Sequence, residues 1–102
     1  MLPIEMLGSA QRFFKKIVEK PLKRAFLDAL TEIRMDPYVG EEKNGDLSGC
    51  YGYDVYYKGT NYEIAYYIGE NEEGDLVVVI LAGTRENFYE ELKRHKNKIP
   101  GK

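Results

Sequence analysis

From Gly45 to Tyr89 apolar and polar positions alternate with a period of two, which predicts three consecutive antiparallel strands. The strands cover Cys50–Tyr57, Tyr62–Glu70 and Asp75–Thr84, with Gly- and Asn-containing turns between them. Tyr51, Tyr53, Val55 and Tyr57 form the apolar set of the first, and Tyr62, Ile64, Tyr66 and Ile68 that of the second. Leu76–Ala82 is apolar on both faces, which predicts a central strand covered on both sides. Upstream the spacing becomes helical. Phe13, Phe14, Ile17 and Val18 make one stripe on a helix that Ser9 caps and that reaches Glu19. Leu22, Ala25, Phe26, Ala29, Leu30 and Ile33 make another, on a helix from Pro21 to Met35. Pro21 suits a first helical turn and separates the two, and Asp36-Pro37 ends the second. Met1–Gly8 reads as a short edge strand despite Pro3, and Tyr38–Leu47 as a polar connection. After Gly83, Thr84 or Asn87 caps a last helix to about Lys96, held by Phe88 and Leu92, before a frayed tail over Asn97–Lys102. The fold class is α+β: a helical hairpin packed on an antiparallel sheet of three to four strands, with a carboxyl-terminal helix. Residues 1–102 form a single domain.

Parity assigns the faces. Opposed residues share a face, so the first hairpin takes an even loop, Gly59-Thr60 or Lys58–Asn61; either sets Tyr57 opposite Tyr62 and Val55 opposite Ile64. The other face then carries Cys50, Gly52, Asp54 and Tyr56 beside Glu63, Ala65 and Tyr67. Asp54 and Glu63 become diagonal neighbours, on the order of 7–8 Å apart. Val77, Val79 and Leu81, with Ala65 and Tyr67, are expected to form an apolar patch that the last helix covers only in part, a surface for a partner.

Composition narrows the class. A 43% hydrophobic, 31% charged chain is neither disordered nor membrane-like. The lone cysteine, Cys50, allows no internal disulfide and suits a reducing compartment. Leu76–Ala82, the longest apolar run, is too short to span a bilayer, and MLPIEMLGSAQR has no basic residue ahead of its apolar patch. A cytoplasmic protein without membrane association is expected. The net charge of −2 conceals segregation. Residues 9–35 carry seven basic and three acidic side chains, residues 36–75 two and ten, and residues 85–102 six and three. The sheet is acidic and both helical ends are basic; those ends either meet phosphates or are solvated outer faces. No phosphate-binding Gly-Lys loop, dinucleotide fingerprint or metal-ligand cluster occurs, so no cofactor or metal is expected. His95 reads as a solvated surface residue and Cys50 as an inert, partly buried thiol.

The chain resembles the RelE/ParE superfamily of bacterial toxin–antitoxin toxins. The resemblance rests on a helical hairpin ending in Asp36-Pro37-Tyr38, then Gly45-Asp46-Leu47-Ser48-Gly49, then Tyr62-Glu63-Ile64-Ala65-Tyr66, and Gly83-Thr84-Arg85-Glu86-Asn87 before Phe88-Tyr89. It covers most of the chain and implies two helices packed on an antiparallel sheet, and a cognate antitoxin that wraps and neutralises the toxin. RelE-like members cut messenger RNA on the ribosome, and ParE-like members poison DNA gyrase. Cleaving RNA without a metal requires a base, an acid and a cation for the phosphate. The resemblance implies that Arg85, after the last strand, clamps the phosphate, unless it forms a structural ion pair. It implies that Tyr89 stacks on a base or moves a proton, unless it only packs. Basic residues common on the family's exposed sheet face are replaced here by Gly52, Asp54 and Glu63. Asp54 or Glu63 then serves as general base, with a pKa raised by its neighbour, or is solvated or pairs with antitoxin arginines. The expected function is a type II toxin acting as a ribosome-dependent, metal-independent mRNA endoribonuclease. The alternatives are a non-enzymatic gyrase inhibitor, which the missing basic residues favour, and a degenerate toxin that only binds antitoxin.

Overall fold

The alternation produces the sheet it predicts; in the computed structural model, which describes residues 1–101, the edge strand expected within Met1–Gly8 forms, and a two-residue strand from the expected polar connection adds the other edge. In chain order the elements are β1 (Ile4–Met6), α1 (Gly8–Lys15), α2 (Lys20–Met35), β2 (Glu41–Glu42), β3 (Cys50–Tyr57), β4 (Thr60–Asn71), β5 (Gly74–Thr84) and α3 (Phe88–Lys93). Single 3-10 turns occupy Gly45–Leu47 and Lys96–Lys98. The sheet order is β1-β5-β4-β3-β2, antiparallel throughout except that β1 runs parallel to β5. The central position of β5 explains its unbroken apolar run, because both its faces are covered.

Two cores lie on opposite faces. The first sets α1 and α2 against Val55, Ile64, Tyr66, Val77 and Val79, with Phe26 edge-to-face against Phe13, Phe14 and Tyr62 at ring separations of 5.3–5.4 Å. The second joins Leu47, Cys50, Ala65, Ile80 and Leu81 to Phe88, Leu92 and Ile99. A bulge makes the division possible. Ala65 pairs with Leu81 and Tyr66 with Val79, so Ile80 is the extra residue and both Ile80 and Leu81 serve the second core.

Several expectations are corrected. Tyr57 pairs with Thr60 and Val55 with Tyr62, so the hairpin loop is Lys58-Gly59. Both loop residues have positive φ, 49° and 77°, the twist-matched geometry of a two-residue turn, which Lys58 adopts although it is not a glycine. The shift of two leaves the faces unchanged and sets Asp54 directly opposite Glu63 rather than diagonal to it. Ser9 lies inside α1, where its hydroxyl donates to the carbonyl of Ile80 instead of capping. The helix stops at Lys15, so Val18 falls off the apolar stripe and is 89% exposed. Asn87, not Thr84, precedes α3, with φ 61° and no side-chain cap bond, and α3 ends at Lys93. The expected patch is closed: Val77 and Val79 face the helices, Ala65 and Leu81 lie under the carboxyl-terminal segment, and only Tyr67 stays partly exposed. The tail to residue 101 is not all frayed. Six residues of α3 cannot cover the second face alone, and the following 3-10 turn lays Ile99, 1% exposed, against Gly49. Lys102 lies outside the described residues.

Candidate functional site

Beyond the cover of α3, the second face ends in a charged recess. Ladder pairing brings three positions together there: Asp54 opposes Glu63 on one side, and Gly83 opposes it on the other. Arg85 follows as β5 ends, its backbone N–H donating to the carbonyl of Asn61 at 2.9 Å, which turns its side chain over β4. Lys43 follows β2 and is fixed by its N–H to the carbonyl of Cys50 at 2.8 Å. Gly52 makes room for the group. A Cβ there would stand 2.2 Å from Glu63 Oε2 and 2.9 Å from Lys43 Cε.

Glu63 is the centre. Its side chain is only 3% exposed, and a buried carboxylate is tolerated only when paired. Lys43 Nζ lies 2.7 Å from Oε2, and Arg85 Nε 3.5 Å from Oε1. The same guanidinium reaches outward through Nη1 to Asp54 Oδ1 at 3.2 Å and Oδ2 at 3.4 Å. The resulting recess, about 120 Å³ in volume, is lined by Glu41, Lys43, Gly52, Asp54, Glu63 and Arg85. Three carboxylates therefore surround two cations. Arg85 thus meets carboxylates through both Nε and Nη1, and an incoming phosphate would reach a guanidinium flanked by Asp54 and Glu63 at a mouth that Glu41 also lines.

Of the residues singled out from the sequence, Asp54, Glu63 and Arg85 converge, and Tyr89 does not join them. Tyr89 is exposed on α3, with Lys93 Nζ 5.3 Å from its ring centroid. Lys43 and Glu41 were missed, because they sit in what reads as a polar connection. The only signal pointing to them is the pairing of a buried acid with a glycine on the neighbouring strand. Cys50 is fully buried rather than partly so, and burial pushes its thiol up to about 11, against a thiolate role. His95 is half-buried rather than solvated: Lys98 Nζ lies 3.0 Å from its Nδ1, and burial first, then Lys98, lower its pKa. Among the described residues no three His, Cys, Asp or Glu side chains converge as metal ligands, and no helix is long and apolar enough to cross a membrane.

Comparison with known proteins adds the following. A family model described as a ParE-like toxin of a type II bacterial toxin-antitoxin system matches residues 4–93. No curated protein matches the sequence. The free Escherichia coli toxin RelE carrying a double arginine-to-alanine substitution superposes with a TM-score of 0.69 at 18% identity, over 94% of this chain and 96% of that one. A chain of the intact E. coli RelBE toxin-antitoxin complex gives 0.62 at 18% identity, over 81% and 95%. A YoeB/ParE toxin from Agrobacterium tumefaciens gives 0.66 at 12% identity, over 82% and 99%. At such identities the structural likeness establishes the fold alone.

Proposed function

The chain belongs to the ParE-like toxins of type II bacterial toxin–antitoxin systems, and from that premise we propose that it poisons its target by binding protein rather than by cutting RNA. DNA gyrase is the target class implied by the resemblance to ParE. One observation carries the reading. The arginine best placed to clamp a phosphate is held by Asp54 and Glu63, in a recess where acids outnumber bases. Cleavage of RNA needs unopposed positive charge at the scissile phosphate. A surface of mutually paired charges instead suits recognition of a protein with complementary charge, where such pairs set specificity.

A second reading has its own support. The pair of Arg85 with Asp54 is about half exposed and so weakly held, and it lies beside the Glu63 carboxylate. In that reading Arg85 binds the phosphate once Asp54 swings away, Glu63 takes the 2′-hydroxyl proton as the 2′-oxygen bonds to phosphorus, the P–O5′ bond breaks with the leaving oxygen protonated by water, and exposed Tyr89 stacks on a base. Induction of the full chain, with primer-extension mapping of transcripts and a parallel gyrase supercoiling assay, separates the two. The expected result is growth arrest with lost supercoiling activity and intact transcripts. Mapped cleavage that disappears in Arg85→Ala would establish the nuclease reading instead. Growth unaffected by induction would leave only antitoxin binding.

A further inference from the structure

We infer that a second surface, between α1 and the carboxyl-terminal segment, docks the phosphodiester backbone of a nucleic acid, independently of the recess at Arg85. The two regions differ in how their cations are used. At the recess, Lys43 and Arg85 are both neutralised by carboxylates. Along α1 and α3, Arg12, Lys15, Lys16 and Arg94 are exposed, and among the described residues none of them forms an ion pair. Arg12 and Lys16 stand one helical turn apart and border a groove of about 270 Å³ that His95 closes from the other side. Lys98 lies against His95, and Arg12 and Arg94 are close enough to act on its charge. Four cations therefore surround one imidazole, with Glu91 as the acid in the groove. Lys15 lies in the last turn of α1, where it also suits the helix dipole. That role does not account for Arg94 and Lys98, which approach from another element. Unpaired, exposed cations converging from two elements match a row of phosphates, whose binding is driven by released counterions.

The held imidazole supplies a reporter. His95 is the chain's only histidine, and burial, Lys98, Arg12 and Arg94 lower its pKa against the opposing pull of Glu91. Lys16, the residue after α1, faces the same groove. A polyanion lying on these cations reverses that balance and raises the His95 pKa.

The test uses the purified full chain and fluorescence anisotropy with three probes: a labelled 20-base-pair DNA duplex, an RNA hairpin, and vesicles of phosphatidylglycerol. Binding to at least one nucleic acid is expected, weakening with salt at a log–log slope of about −3 to −4 for four phosphates on duplex DNA. Arg12→Ala with Lys16→Ala should reduce the magnitude of that slope by about 2. Arg24→Ala, a cation already paired with Asp28 on α2, should leave it unchanged. The imidazole resonances of His95 should titrate at higher pH when the nucleic acid is bound. A preference for duplex or hairpin identifies the source of the phosphates. Binding to vesicles but to neither nucleic acid overturns the inference, as does a slope that Arg12→Ala/Lys16→Ala leaves intact or a His95 titration that the nucleic acid does not move.

Discussion

At the scale of residues, the recess is the most demanding part of the molecule. A buried carboxylate stripped of its partner is strongly destabilising, whereas loss of both partners is nearly neutral. Lys43→Met should therefore cost about 3 kcal/mol in urea unfolding, and Lys43→Met with Glu63→Leu should recover most of it. A double mutant no more stable than Lys43→Met would show that the loss does not come from an unneutralised Glu63. Gly52→Ala should cost about 1–3 kcal/mol, because its methyl group meets Glu63 Oε2 at 2.2 Å and one of the two must move. Alkaline unfolding tests a second buried group. The Tyr66 hydroxyl donates to the carbonyl of Pro37 at 2.7 Å and accepts from the Gly40 N–H at 3.0 Å. Burial raises its pKa from the usual 10 to about 12, and a hydrogen bond to Glu32 raises that of Tyr53 to about 12. Between those values the unfolded tyrosines ionise while the folded ones stay neutral. Stability from this source is thus complete below pH 10 and is lost as pH rises to about 12. Tyr66→Phe, followed by denaturant midpoints across this range, should flatten the decline while lowering stability below pH 10. Asp54 and Glu63 could be assigned to one face from the sequence, since side-chain parity is a local property of a strand. Lys43 could not, since its place depends on a two-residue strand too short to leave a period.

At the scale of elements, the alternation and the helical stripes placed α2, β3 and β5 to within one residue and β4 to within two. The register escaped because turn chemistry decides it, and Lys58 occupies a left-handed position usually given to glycine or asparagine. The bulge at Ile80 escaped for a similar reason. In a run that is apolar throughout, no alternation exists to reveal an extra residue. The reading of the tail failed because burial of Ile99 is decided by what the second face still lacks, a non-local demand. Ile99→Ala should accordingly cost about 2–5 kcal/mol despite its position next to the chain end. Chemical denaturation would check this, and a change under 1 kcal/mol would mean that Leu92 and Phe88 seal that face unaided.

At the scale of the whole molecule, β1 sits beside β5, with Ile4 opposite Val77 and Met6 opposite Val79. β1 thus has no partner until β5 exists, and closing so long a loop is rewarded only once the elements between them are in place. Without β5, Phe13, Phe14 and Phe26 lose Val77 and Val79 from the core they share. A chain cut short of β5 is therefore expected to be inactive, since neither core can close without that strand.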